Sequence, residues 1–294
     1  WLLEHRRGAR ALAARGRLAF GTIDSWLVWQ LTGGAVHATD PTNASRTMLY
    51  GLRSRRWEPS LLSLFGVPAS VLPEVRRSAG DFGRTRGVKG IPDGIAVAGV
   101  AGDQQAALVG HGCFKPGMAK ATFGTGAFLV MNMGETPPRS ANRLLATVGY
   151  ETSQGRAYAL EGSIFSAGAT MQWLRDGLKL IKSSAESEAI AVALPNNGGV
   201  YLVPAFAGLG APQWNAEARG TIVGLTRDSR LDHIVRAGLE AVAYQTAGLL
   251  GALRGDGARI SSLLVDGGLT ANAWAMQFLA DICDVEVARP AFPE

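Results

Sequence analysis

The chain has 294 residues, 47 % hydrophobic and 18 % charged, a globular balance that leaves room for one large or two smaller domains and excludes a disordered polymer. Its net charge of +5 sits largely in arginine runs such as "EHRRGARALAARGR" and "GLRSRRWE"; no stacking aromatics interleave them, so they read as solvated faces and no nucleic-acid partner is expected. Cys113 and Cys283 are too few for a disulfide framework or a metal site, which suits a reducing cytoplasm, and no apolar run reaches the roughly 18 residues of a membrane span, so no membrane insertion is expected.

The chain opens on Trp1 and closes on "ARPAFPE", and both ends read as cut from a longer protein. A first helix is expected over Trp1–Ala14 and a second over Ile23–Leu31, stopped by Gly33 and Gly34, with Trp26 and Trp29 on its core face. "ATDPTNASRTMLYG" reads as an ordered polar loop in which Asn43, Ser45 and Arg46 make structural contacts. "SLLSLFG" is a short helix ended by Gly66. "GIAVAGV" is a continuous apolar run that predicts a strand buried on both faces. "DQQAALVGH" then predicts a helix with Asp103 at its start.

Further along, "MAKATFGTGAFLVMNM" predicts a hairpin around Gly124-Thr125-Gly126. "RLLATVGYE" and "RAYALEGS" predict strands, followed by helices over 166–180 and 185–194. "GVYLVPAF" predicts a buried strand, and a long helix is expected over 231–253. "SLLVDGG", "ANAWAMQFLADIC" and "VEVARP" predict a strand, a helix and a closing strand. Strands alternate with helices throughout, which indicates α/β layers, and the breaker-rich "HGCFKPG" marks a boundary near 111–115.

Three corners, "AGDQQ", "FGTGAF" and "VDGGLTAN", set glycines beside small polar residues just after an apolar run. Glycine lets backbone N–H groups approach an anion, and a helix start adds partial positive charge. Together they point to a phosphate ligand. "FGTGAF" lacks the Gly-Lys-Ser/Thr of a P-loop and the helix opening of a dinucleotide fingerprint, so a tight hairpin with Thr125 free to bond a phosphate oxygen is the better reading. An ordinary hairpin turn is the bland alternative. For Asp103 the bland alternative is a plain helix cap. His111 and His233 are isolated and read as ordinary polar contacts.

Taken in order, "TDPTNASRTMLY", "LPEVRRS", "AGDQQAAL", "FGTGAF", "ALEG", "AGATMQWLRD", "VPAFAGLGAP", "ARGTIVGLTR" and "VDGGLTAN" resemble the FGGY carbohydrate kinase family across essentially the whole chain. "TNASRTMLY" with "GDQQAAL" is similar to its glycerol-phosphorylating branch more than to the xylulose, ribulose or gluconate branches. The resemblance implies an α/β, two-domain ribonuclease-H-like (actin-like ATPase) fold, incomplete here. Residues 1–112 would be the C-terminal part of the acceptor-side domain and residues 113–294 most of the nucleotide-side domain. It implies ATP/ADP and Mg²⁺ as cofactors and glycerol as the small-molecule substrate; whether the chain forms a homo-oligomer is left open.

By the same resemblance Asp103 is the catalytic base, contacts substrate and helps hold Mg²⁺ through water. Gln104 hydrogen-bonds a glycerol hydroxyl, an amide being able to donate and accept. Phe128 packs on the carbon side of glycerol. Thr125, Gly168, Gln172, Gly268 and Asn272 contact the nucleotide, the last four as two pairs at helical i, i+4 spacing. Gln105 has no assigned role and is expected on the helix surface.

Two departures stand out. In some bacterial members a Gly-Gly-Thr-Arg loop before the catalytic strand binds fructose 1,6-bisphosphate; "RTRGVKGIPDG" lacks it, so that inhibition is not expected. Gly238 in "RAGLE" replaces a larger residue and is expected to loosen its helix by about 1 kcal/mol relative to Ala. The competing readings are another polyol or sugar kinase, a nucleotide-binding or structural piece without turnover, and an actin-like or chaperone-like ATPase, which "GDQQAAL" and "LPEVRRS" disfavour.

Overall fold

The computed structural model describes residues 1–260 and 262–290. They divide into two units: residues 1–106 with 134–137 and 147–159, and the remainder.

In the first unit the expected opening helix is two, α1 (Leu2–His5) and α2 (Ala9–Ala14), broken where Gly8 turns left-handed at φ 80°. Helix α3 (Ile23–Leu31) forms where expected, but Trp26 and Trp29 are 57 % and 40 % exposed. Its buried residues are Asp24, Ser25 and Val28. The Asp24 carboxylate accepts a buried 2.7 Å hydrogen bond from Thr39 Oγ1, which fixes the inward face and turns both tryptophans outward. The polar stretch read as loop holds β1 (Ala38–Thr39) and α4 (Pro41–Ala44), the latter capped by Asp40 with Pro41 at its first position. Strands β2 (Tyr50–Gly51) and β3 (Arg56–Trp57) pair antiparallel. Helix α5 (Pro59–Phe65) ends at Gly66 in the left-handed conformation, and β4 (Glu74–Val75) pairs parallel with β1.

"GIAVAGV" does not form the predicted strand. It makes only isolated bridges, Ala79 with Gly99 and Arg84 with Ala96, and most of it is exposed. Its backbone bonds go irregularly to residues 78–85, for example Val97 N to Gly83 O at 2.9 Å, so no ladder forms. Helix α6 (Asp103–Gly110) follows, and the unit boundary crosses it after Ala106.

The second unit carries β5 (Ala119–Phe123), β6 (Ala127–Gly134), β7 (Leu145–Glu151) and β8 (Arg156–Ile164). Residues 147–151 of β7, residues 156–159 of β8 and Gly134 of β6 fall in the first unit. Then come α7 (Gly168–Gln172), continued by a π-helical turn over Trp173–Gly177, and α8 (Glu186–Ala193). Strand β9 (Tyr201–Val203) pairs antiparallel with β10 (Thr221–Val223). It is shorter than predicted, and only its central Leu202 is buried. Helix α9 (Leu231–Gly255), β11 (Ser262–Asp266), α10 (Ala273–Cys283) and β12 (Glu286–Ala288) complete it. The sheet order is β12-β11-β5-β6-β8-β7, with β5 parallel to β11 and antiparallel to β6. Phe123, Leu129, Leu160, Leu239, Leu250 and Leu279 anchor its core.

Gly238 has a packing reason. A Cβ there would lie 2.8 Å from Leu174 Cδ1 and 2.9 Å from Met171 Cε, so it lets α9 approach the α7 segment closely. Both atoms are the flexible ends of their side chains and can shift, so the propensity gain of Gly238→Ala, about 1 kcal/mol, is nearly offset by an overpacking cost at the low end of roughly 1–3 kcal/mol. Denaturant unfolding is expected to show a change within about 1 kcal/mol; a loss of about 3 kcal/mol or more would contradict that.

Cys113 and Cys283 are both buried. Burial pushes their thiols up from 9.0 to about 11, against the smaller opposing pull of Lys120 and Arg254. A raised folded-state pKa favours the protonated thiol, so this contribution is complete below the unfolded value and is lost as pH rises through about 9 to 11. Denaturant midpoints are expected to fall across that window, and less steeply in Cys113→Ala/Cys283→Ala.

Candidate functional site

The site in the second unit starts from a turn. Phe123 and Ala127 pair across β5 and β6, so Gly124-Thr125-Gly126 forms the connection. The start of α7 docks on it: Gly168 N donates to Gly124 O at 2.9 Å, and the amides of Ala167 and Ala169 both donate to Thr125 O at 3.0 Å. A Cβ on Gly168 would lie 2.6 Å from Gly124 O, and one on Gly126 2.5 Å from Ile164 O. From a third direction Gly267, at φ 90°, sits where a Cβ would be 2.5 Å from Phe123 O. No side chain fits at these contacts, so glycine is required there by close backbone approach.

Beside this junction lies a cavity of about 440 Å³. All five residues expected to contact a nucleotide line it: Thr125, Gly168, Gln172, Gly268 and Asn272. Phe123, Met171 and Leu269 supply apolar wall, and Arg175 and Glu188 supply charge. Thr125 and Gln172 are exposed. Gly168 and Gln172 share α7 as predicted. Gly268 and Asn272 do not share a helix face: residues 268–271 form a 3₁₀ turn, and Asn272 is extended. Asn272 caps α10, its Oδ1 accepting from Ala275 N at 2.8 Å while Nδ2 donates to Ser187 Oγ at 3.3 Å. Its side chain therefore braces the wall.

Sequence reasoning missed Arg175, Ser184 and Glu188. Arg175 stands three residues on from Gln172, so the i, i+3 interval of a helix face, and not a repeat of the Gly168–Gln172 interval, would have found it. Hydrogen bonds of 2.8 and 2.7 Å tie its guanidinium to Asp176 and hold the Asp176 carboxyl below its ordinary pKa. Glu188 Oε1 accepts from Ala273 N at 3.0 Å, a contact between α8 and the start of α10 with no local sequence signal. Phe128 is 37 % exposed on β6 and lies outside this cavity.

Asp103 and Gln104 belong to the first unit. Asp103 is exposed in the first turn of α6; its Oδ1 accepts from Gln104 N at 2.8 Å and its Oδ2 from Gln104 Nε2 at 3.4 Å. Gly102 N, just before it, donates to Thr42 Oγ1 at 2.8 Å. Gln105 is not on the helix surface as expected: it is 2 % exposed, and its Nε2 donates to Thr147 Oγ1 at 3.3 Å. Burial of an amide demands such a partner. Asn43 and Ser45 make structural hydrogen bonds, to Asp40 and Thr147. His111 contacts Asp266 Oδ2 at 2.6 Å, and His233 Nδ1 accepts from Arg230 N at 3.0 Å.

Among the described residues no cluster of three His, Cys, Asp or Glu could hold a metal by itself. An exposed carboxylate such as Asp103 suits Mg²⁺, which keeps several waters and takes one or two carboxylates besides substrate phosphates. A second, more open cavity of about 790 Å³ in the first unit is lined by Arg53, Arg55, Arg77 and Arg156 and holds none of the candidate residues.

Residues 1–110 match the family model for the N-terminal domain of the FGGY family of carbohydrate kinases, and residues 119–294 match that for its C-terminal domain. The chain belongs to the FGGY family. Over 295 aligned residues it is 57 % identical to a glycerol kinase of Rhodospirillum centenum, covering 100 % of this chain and 59 % of that protein. The figures for a glycerol kinase of Alteromonas mediterranea are 56 %, 100 % and 59 %. A crystal structure of Plasmodium falciparum glycerol kinase with ADP superposes with a TM-score of 0.92 at 37 % identity, covering 100 % of this chain and 59 % of that one. A xylulose kinase from Rhodospirillum rubrum gives 0.83 at 25 % identity, with coverage of 100 % and 59 %. This FGGY chain thus has the α/β, actin-like (ribonuclease-H-like) fold and spans 59 % of the length of those relatives.

The glycine junction makes a paired prediction. Gly267→Ala combines a left-handed φ with a backbone clash and is expected to cost about 2 kcal/mol or more. Gly268→Ala meets nothing within 4 Å and is expected to stay within about 0.5 kcal/mol of the parent. Denaturant midpoints measure both, and equal effects would contradict the geometry.

Proposed function

We propose that the complete protein transfers the γ-phosphate of ATP to glycerol, giving sn-glycerol 3-phosphate in the cytoplasm. Residues 1–112 contribute to the acceptor side and residues 113–294 form most of the nucleotide side. The reading is carried by the convergence of Thr125, Gly168, Gln172, Gly268 and Asn272 on one cavity in a chain that is 57 % identical to a glycerol kinase. The ADP named for the Plasmodium falciparum relative supports a nucleotide as the occupant.

Phosphoryl transfer asks a protein chiefly for positioning and charge stabilisation. The turn at Gly124–Gly126 offers the Thr125 hydroxyl to phosphate oxygens. Gly168, Gln172 and Gly268 leave room for the rest of the nucleotide, and Arg175 adds positive charge at the same wall. Gln104 holds a glycerol hydroxyl, and Phe128 covers the carbon side of the substrate. The terminal glycerol oxygen forms its bond to the γ-phosphorus as the bond to the ADP oxygen breaks, and the hydroxyl proton passes to the Asp103 carboxylate. Such a base contributes roughly 10²–10⁴-fold. Mg²⁺, held through water beside Asp103, would neutralise phosphate charge.

The chain taken alone is expected to bind nucleotide without turning over glycerol. In the full-length enzyme, Asp103→Asn is expected to lower kcat by at least about 10²-fold while ADP affinity stays within a few-fold. Near-normal kcat would remove Asp103 from the base role. The alternative acceptor is another sugar or polyol. A panel comparing kcat/KM for glycerol, xylulose, ribulose and gluconate is expected to favour glycerol, and preference for another would reassign the substrate.

A further inference from the structure

Asp40 is wholly buried, yet the four-residue α4 that it caps needs no buried charge. Its carboxylate accepts five hydrogen bonds. Oδ1 takes Thr42 Oγ1 at 2.8 Å, Asn43 N at 3.0 Å and Asn43 Nδ2 at 2.8 Å. Oδ2 takes Thr42 N at 3.2 Å and, from 38 residues away, Ser78 Oγ at 2.6 Å. Burying an ionised carboxylate is costly without such pairing, and the arrangement has a directional consequence.

A threonine hydroxyl has one proton and two lone pairs. A carboxylate can only accept, so the Thr42 proton is committed to Asp40. Its lone pair therefore faces Gly102 N, which donates at 2.8 Å. Gly102 is the residue immediately before Asp103. A second arm reaches the other side. Ser45 Oγ donates to Thr42 O at 2.9 Å and so accepts from Thr147 Oγ1 at 2.9 Å. Thr147 in turn accepts from Gln105 Nε2 at 3.3 Å. A Cβ on Gly102 would lie 2.6 Å from Gln105 Oε1, so the two arms close tightly on one corner. Thr42, Asp40 and Gln105 are all buried, whereas Asp103 between the two arms is exposed.

We propose that Asp40 and Thr42, with Gln105, are positioning residues that fix the peptide on both sides of Asp103 and so aim its carboxylate at the acceptor hydroxyl. This rests on Asp103 being the proton acceptor. The network touches no substrate and acts only through that carboxylate.

The test is a double-mutant cycle in the full-length enzyme, reading kcat and KM. Thr42→Val removes the hydroxyl at nearly constant volume, and Thr42→Ser restores it. Thr42→Val is expected to lower kcat roughly ten- to hundredfold, with both KM values within about threefold and Thr42→Ser close to the parent. In the Asp103→Asn background, Thr42→Val is expected to cause no further loss, because residues acting as one unit are not additive. Gln105→Met tests the second arm in the same way should Thr42→Val fold poorly. If Thr42→Val and Gln105→Met keep normal kcat while Asp103→Asn is inactive, or if the losses multiply, positioning is overturned and the base reading stands. If Asp103→Asn itself turns over normally, the base reading fails first.

Discussion

Three backbone segments meet at the end of β5 with no room for a side chain between them. Gly124 and Gly126 bracket Thr125, Gly168 opens α7 against the turn, and Gly267 crosses at Phe123. Three hydrogen bonds tie the turn to the start of α7, and in each a carbonyl of Gly124 or Thr125 accepts from an amide of residues 167–169. The Thr125 side chain is thereby left exposed, and a cavity remains where side chains would otherwise fill the gap. The nucleotide reading depends on this steric fact more than on any single polar group.

The two candidate sites are built by opposite means. The cavity in the second unit is made by leaving atoms out, and its polar lining is sparse. The Asp103 corner in the first unit is made by adding buried polar groups, each satisfied in a fixed direction. Both suit phosphoryl transfer, which needs a donor cradle that accommodates a bulky polyanion and a base whose position varies little. Asn272 and Glu188 belong to a third class: they line or approach the cavity but are bound to the start of α10, so they hold its wall in place.

Much of this was legible in the sequence where a local pattern has one physical cause. The long apolar face of α9, the glycine after α5 and the turn residues of the β5–β6 hairpin each specify their element. The glycine corners suggested a phosphate ligand from their residues alone, whereas Asp103 at a helix start reads as a plain cap and takes its proposed role only from the family resemblance. What was illegible depended on distant partners. Trp26 and Trp29 look like core residues until the Asp24–Thr39 contact sets the rotation of α3. "GIAVAGV" looks like a strand until its hydrogen bonds are seen to scatter over residues 78–85. Gln105 looks like a surface amide until Thr147, from a segment 42 residues on, buries it. Gly238 looks like a helix defect until Leu174 and Met171 occupy the space its side chain would need. The helical spacing of Gly268 and Asn272 misled because a 3₁₀ turn can hold the same interval without a shared face.

The most direct measurement of the central claim is an amide NMR titration of this chain with Mg-ADP. The account predicts saturable shifts at Gly124, Thr125, Gly126, Gly168 and Gly268, the backbone that surrounds the cavity. Saturating Mg-ADP that leaves those amides unmoved, or that shifts only residues around the arginine-lined cavity at Arg53, Arg55 and Arg77, would contradict it.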